Sequence, residues 1–462
     1  MKIGLIPIDN RPVCYTLPKL IAGINSDIEL IMPPRELLGD LTKPAGKEIL
    51  FEILNSWKGF DSIIISLDTL VWGGLIPSRR SSAPLAEILA LLENLKVILK
   101  EKDCPIYAFS SIMRISNNNI NEEEKEYWDM WGKKIFEYSY IADKTGFPPK
   151  TDIPKEILKD YLNTRKRNFE INKIYLEWQK EGIFDTLVFS KDDCAQFGLN
   201  VQEARKLKVE GGFVKTGADE IPLSLLSRAI TKNLTSVYSG IPNRPENYNP
   251  DGIRIFPIFT EPEYKHLISN YEDISIEESV RSQIELAGCK VSNNYSDSDI
   301  VLIVNNFKNN QGEIVMKIPT EPFKGEINLP DKPFMIADVR FANGADNSFV
   351  EKLLENLNFN SDNFLGYSGW NTSANSLGSL IAGGLAKFIN KDYNRYEFTK
   401  LQLTRLLDDW GYQANVRQKL DIPDESLLVE KMKKYESILG CVNSVRYSFP
   451  WHRLFEVEIE FI

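Results

Sequence analysis

The chain has 462 residues, 43 % hydrophobic and 26 % charged, with 65 acidic against 55 basic side chains and a formal charge of −10. That length can bury a large core, and the composition is globular rather than disordered. An acidic surface without a dense basic cluster repels phosphate backbones, so nucleic acid is not an expected partner.

The five cysteines lie far apart with no Cys-x-x-Cys pair, which argues against a zinc knuckle or a disulfide framework. Only two histidines, His266 and His452, exclude a poly-histidine metal site and leave little for a Ser-His-Asp engine. Met1 to Asp9 reads as a strand too short for a signal-peptide core, and no apolar run reaches the roughly 18 residues of a membrane span. The expectation is a cytoplasmic protein with no membrane partner.

Strand one, Lys2 to Ile8, runs into Asp9-Asn10-Arg11-Pro12, and a helix over Leu17–Ile24 follows. Strand two, Ile28–Met32, precedes a helix around Ala45–Trp57 with Ile49, Leu50, Ile53, Leu54 and Trp57 at helical spacing. Strand three, Ser62–Leu67, is apolar on both faces, as in a covered parallel strand, and ends at Asp68. A Gly-rich turn, Val71–Arg80, carries Arg79 and Arg80 into an amphipathic helix over Leu85–Lys100. Strand four, Ile106–Ile112, ends near Arg114.

Residues 115–185 hold long polar helices, including Glu122–Asp143 and Lys155–Gly182, an insertion that serves as a lid or as a contact in a homo-oligomer. Strand five, Thr186–Phe189, stops at Lys191-Asp192-Asp193, and a helix follows over Val201–Lys208. Adjacent carboxylates at the end of a buried strand are costly unless water, a cation or a polar ligand meets them, and like charges so close split each other's protonation. The bland alternative is a loop in which one Asp caps the next helix. Strand six, Gly212–Lys215, leads to Gly217-Ala218-Asp219-Glu220, where the acids could instead only favour a helix dipole.

Pro242, Pro245 and Pro250 mark a linker, and strand-like runs Ile253–Phe259 and Ile300–Asn305 flank a helix over Glu277–Gly288. The rhythm resumes with Phe334–Ala337, ending at Asp338-Val339-Arg340, and Leu365–Gly369, ending at Trp370-Asn371. Leu377–Ile389 is an apolar helix, and the chain then reads as helical until a closing strand, Leu454–Ile462. Setting the middle unit aside, eight strand–helix units imply a parallel sheet with right-handed crossovers.

The predicted fold is therefore α/β, a (β/α)8-like barrel with a helical insertion after strand four, an inserted small α/β unit and a helical C-terminal region. The first six units fall in residues 1–240, the insert in 241–332, the last two units in 333–390 and the helical region in 391–462. An open doubly wound sheet is the rival. In both, ligands meet the C-terminal ends of the strands.

A closed barrel would collect Asp9, Arg11, Asp68, Arg79, Arg114, Asp192, Asp193, Asp219, Glu220, Asp338, Trp370 and Asn371 at one rim. Carboxylates with a Trp, an Asn and arginines are the tools for a sugar: paired hydrogen bonds to hydroxyls, an aromatic face for the ring and two carboxyls for acid/base work. The reading is a glycoside hydrolase with Asp192 and Asp193 catalytic, the other ten binding a small carbohydrate, and no cofactor. A metal-dependent lyase, epimerase or phosphohydrolase, holding a divalent ion on the same oxygens, and a non-catalytic sugar-binding protein are the alternatives. Gly-x-Gly-x-x-Gly, P-loop and Gly-x-Ser-x-Gly motifs do not occur.

The runs Ile8–Pro12, Leu67–Leu70 with Gly73–Arg79, Asp192-Asp193, Gly217–Glu220, Asn343–Asp346 and Gly369–Thr372 together resemble a bacterial family of unknown function, DUF4127, over nearly the whole chain. That resemblance implies no activity. A thinner one, on the Asp192-Asp193 dipeptide alone, is to barrel N-acetylhexosaminidases. It implies that one Asp orients a substrate acetamido nucleophile while the other protonates the leaving oxygen.

Overall fold

The strands Ser62–Ser66, Ile106–Ile112, Thr186–Lys191, Ile300–Asn305, Phe334–Asp338 and Phe364–Ser368 are buried along their whole length, as covered parallel strands are. The computed structural model describes residues 1–238 and 252–462. Pro242, Pro245 and Pro250, read above as a linker, lie outside the described residues. By internal contacts the chain forms two compact units. One comprises Met1–Tyr15, Glu29–Pro222 and Tyr271–Asp273, the other Thr16–Ile28, Leu223–Asn270 and Ile274–Ile462.

In the first unit β1 (Lys2–Ile6), β2 (Glu29–Ile31), β3 (Ser62–Ser66), β4 (Ile106–Ile112), β5 (Thr186–Lys191) and β6 (Phe213–Thr216) form an all-parallel sheet in the order β2-β1-β3-β4-β5-β6. Its core joins Ile63 and Ile65 of β3 to Leu92 and Leu95 of the helix Leu85–Lys100, and to Phe189 of β5. The predicted Gly-rich turn over Val71–Arg80 is instead largely helical. Ser66 ends β3 and at once caps the helix Leu67–Trp72 by accepting from the Thr69 amide, and a second short helix, Leu75–Arg80, follows. The helices Trp128–Thr145 and Lys155–Lys180 fill the long β4–β5 connection, with a small core of their own around Trp128, Ile135 and Tyr161.

In the second unit β7 (Arg254–Phe259), β8 (Lys290–Val291), β9 (Ile300–Asn305), β11 (Phe334–Asp338) and β13 (Phe364–Ser368) form another parallel sheet, in the order β13-β11-β9-β7-β8. The short β10 (Gly312–Glu313) pairs with β12 (Phe341–Ala342), and β14 (Val445–Ser448) with β15 (Glu458–Phe461). The helix Ser373–Ile389 is buried along nearly its whole length because Gly383 and Gly384 let Leu401 and Met335 approach its backbone. Beyond it Leu406–Val416 winds as a π-helix, a rare form.

The strands thus do not close into an eightfold barrel. They make two open parallel sheets, and strands 254–259 and 300–305 join the sheet that contains 334–338 and 364–368. Each sheet steps outward from its first strand, then reverses direction: β1 to β2 and back to β3, β7 to β8 and back to β9. This is the doubly wound order, in which the crevice lies at the carboxyl ends beside the reversal.

Candidate functional site

The carboxyl edge of the first sheet carries nine of the twelve residues singled out from sequence: Asp9, Arg11, Asp68, Arg79, Arg114, Asp192, Asp193, Asp219 and Glu220. Seven of the nine form two ionic groups. In the first, Arg11 just past β1 donates through Nε to Asp9 Oδ2 at 2.9 Å and through Nη2 to Asp219 Oδ1 at 2.5 Å, so the end of β1 is tied to the end of β6. Burial pushes the Asp219 carboxyl up to about 6 against the opposing pull of Arg11. Gly217, at φ +106°, makes the turn beneath it, where an added Cβ would lie 1.8 Å from Glu220 Oε1.

The second group surrounds the Asp pair. Arg79 comes from the helix that replaces the predicted turn, and Arg114 from the end of β4. Arg79 Nη2 reaches Asp192 Oδ2 at 3.0 Å. Arg114 Nη1 donates to Asp192 Oδ2 and to Asp193 Oδ2, each at 3.2 Å, so those two oxygens cannot be further apart than twice that distance. Both arginines also grip Glu124 Oε1, at 3.2 and 2.9 Å, and Arg114 Nη2 donates to Glu123 at 2.8 Å. Four carboxylates therefore face two guanidiniums.

Asp193 sits at φ +36°, which few residues other than glycine adopt and which is found disproportionately at functional positions. Its side chain keeps 34 % of its surface exposed, against 1 % for Arg79. Burial of its inner part, and then the Asp192 charge, push its carboxyl up from 3.8 to about 7.

The family profile described as "Protein of unknown function (DUF4127)" matches residues 3–437. The chain belongs to that family. No curated protein and no solved structure matches it.

Elsewhere on this edge of the DUF4127 chain, Asp68 is 2 % exposed and accepts the Ser111 amide at 2.7 Å, and burial raises its carboxyl to about 6. Lys191, the last residue of β5, is buried and donates to Asp273 at 2.5 Å, and Asp273 also accepts from Thr216 at 3.0 Å. Among the described residues no group of three or more His, Cys, Asp or Glu side chains is arranged to hold a metal ion.

The remaining three, Asp338, Trp370 and Asn371, belong to the second unit. Asp338 is fully buried at the end of β11. Its oxygens accept from Asn305 Nδ2 at 2.8 Å, the Asp346 amide at 2.8 Å and the Tyr367 hydroxyl at 3.2 Å. Burial and then Asp346 raise it to about 7. Trp370 is 3 % exposed, with the Arg405 guanidinium 5.9 Å from its ring centroid. Asn371 lies at φ +58°, and its carbonyl accepts the Asn343 amide.

Sequence reading passed over Glu123 and Glu124, which it placed in the first turn of a polar helix. The available signal was an acidic run, Glu122-Glu123-Glu124, within reach of a strand-end arginine. It also passed over Asp409, which accepts from Arg405 and from the Gly369 amide.

Proposed function

We propose that this protein is a glycoside hydrolase that uses Asp193 as general acid/base and Asp192, held by two arginines, as its nucleophilic partner. The observation that supports this most is the asymmetry of one dipeptide. Asp193 is partly open and retains its proton up to about pH 7, while Asp192 is fixed through Oδ2 by two arginines and has Oδ1 uncommitted among the described residues. Two neighbouring carboxyls in unlike surroundings, one bound by arginines and one partly open, suit the nucleophile and acid/base roles of glycosidic cleavage.

The shared Arg114 nitrogen favours the short spacing of the retaining route, about 5–5.5 Å, over the 6.5–9.5 Å of inversion. On that route Asp192 Oδ1 attacks the anomeric carbon while the Asp193 proton passes to the departing glycosidic oxygen. A water then attacks the glycosyl ester, returns a proton to Asp193 and frees Asp192. Arg79 and Arg114 orient the pair.

The test is turnover of a panel of α- and β-glycosides by the intact chain. Asp193→Asn is expected to lower it by about 10²–10⁴-fold with the fold retained, and the first-formed sugar to keep its anomeric configuration by NMR. Full activity in that variant would remove the dipeptide from the mechanism.

A further inference from the structure

Each of the two arginines is shared between the Asp dipeptide and one acid of the β4–β5 connection. Arg79 places Nη2 on Asp192 Oδ2 at 3.0 Å and Nη1 on Glu124 Oε1 at 3.2 Å. Arg114 places Nη1 on both aspartates and Nε on the same Glu124 oxygen at 2.9 Å. The Ser116 hydroxyl, at 3.5 Å, is a further donor to it. One oxygen of one glutamate therefore joins both guanidiniums. The side chains of Glu124 and Arg79 are 3 % and 1 % exposed, so the junction is shielded from water and its charges act strongly on one another.

A guanidinium already bonded to one carboxylate stabilises a second carboxylate less, because two anions then share one positive charge. Facing the aspartates alone, Arg79 and Arg114 would match them charge for charge and favour the ionised form of both. Glu124, with Glu123 bound to Arg114 Nη2 at 2.8 Å, makes the group four acids against two cations. The excess negative charge favours a proton on the acid that the arginines hold least. That acid is Asp193, whose one arginine contact is 3.2 Å long. The other titratable groups facing it are Asp192 and the buried Cys194 thiol, and the Lys191–Asp273 ion pair lies near that thiol.

We propose that Glu124 is a positioning residue for the catalytic dipeptide: it anchors Arg79 and Arg114 at one oxygen and takes up part of their charge, which lets Asp193 carry its proton. The assignment rests on the glycosidase reading and adds to it the control of its acid.

The test follows the Asp193 carboxyl by 13C NMR in the full chain labelled at aspartate, with Asp193→Asn identifying the signal. Glu124→Gln leaves an oxygen for both arginines and removes the charge. The Asp193 midpoint is expected to fall by at least about 0.5 pH unit. Glu124→Asp, which keeps the charge but shortens the reach, is expected to lower it by a smaller amount and serves where the amide variant does not fold. Glu122→Gln removes an equal charge from an exposed position of the same acidic run and should move the midpoint by under about 0.2 unit. An unchanged midpoint in the folded Glu124 variants, or an equal shift in Glu122→Gln, would overturn the assignment. The measurement needs no substrate, so a chain inert toward every glycoside would sink the hydrolase reading without moving it.

Discussion

The two parallel sheets share one strand order, yet they treat a strand-end carboxyl in opposite ways. Asp193, after β5, and Asp338, at the end of β11, are both pushed up to about 7. Asp338 is fully buried and meets three donors, while Asp193 keeps a third of its side chain in solvent and meets one arginine nitrogen. A raised carboxyl is thus no mark of function in itself. A buried polar group whose every lone pair is engaged specifies a fold, and one with exposed, unengaged oxygen is free to exchange a proton with a ligand.

Replacing each residue in turn puts that contrast to measurement. Asp338→Ala would strand the Asn305 amide, the Tyr367 hydroxyl and the Asp346 amide, at a cost of about 3 kcal/mol in urea unfolding, whereas Asp193→Ala is expected to cost under about 1 kcal/mol. Equal losses would erase the distinction. Next in size is the effect of pH.

A general acid works protonated, so turnover should fall as pH rises through about 7, and a rate flat from pH 6 to 9 would exclude Asp193 from that role. For Asp338 the folded value lies above the ordinary 3.8, so its proton favours the native state. That contribution is full below about pH 4 and is lost as pH rises to about 7, a slope in unfolding free energy that Asp338→Ala should flatten. The smallest effect is that of Tyr367→Phe, which removes one of the three donors and should cost about 1 kcal/mol with turnover unchanged.

Most element positions were legible because they depend on local pattern. The helix Leu85–Lys100 and the strands Ile106–Ile112 and Ile300–Asn305 fall where periodicity and apolar runs place them. The turn over Val71–Arg80 was misread because Gly73 and Gly74 look like loop residues, although one closes a helix and the other opens the next. Counting strands suggested eight and a closed ring. Closure depends on which strands pair at the edges, and pairing between residues far apart in the chain leaves no local signature.

The amino-acid order alone determined that this is an α/β chain of parallel strands whose polar residues gather at strand ends, since a covered strand can turn polar only where it leaves the core. Tertiary structure decided the division of those residues between two sheets, the Arg79 and Arg114 grip on Asp192 and the entry of Glu123 and Glu124. It also separated an open carboxyl from a buried one. Burial and ion pairing are sums over neighbours distant in sequence, so the same Asp reads identically in the chain whether it ends up solvated or enclosed.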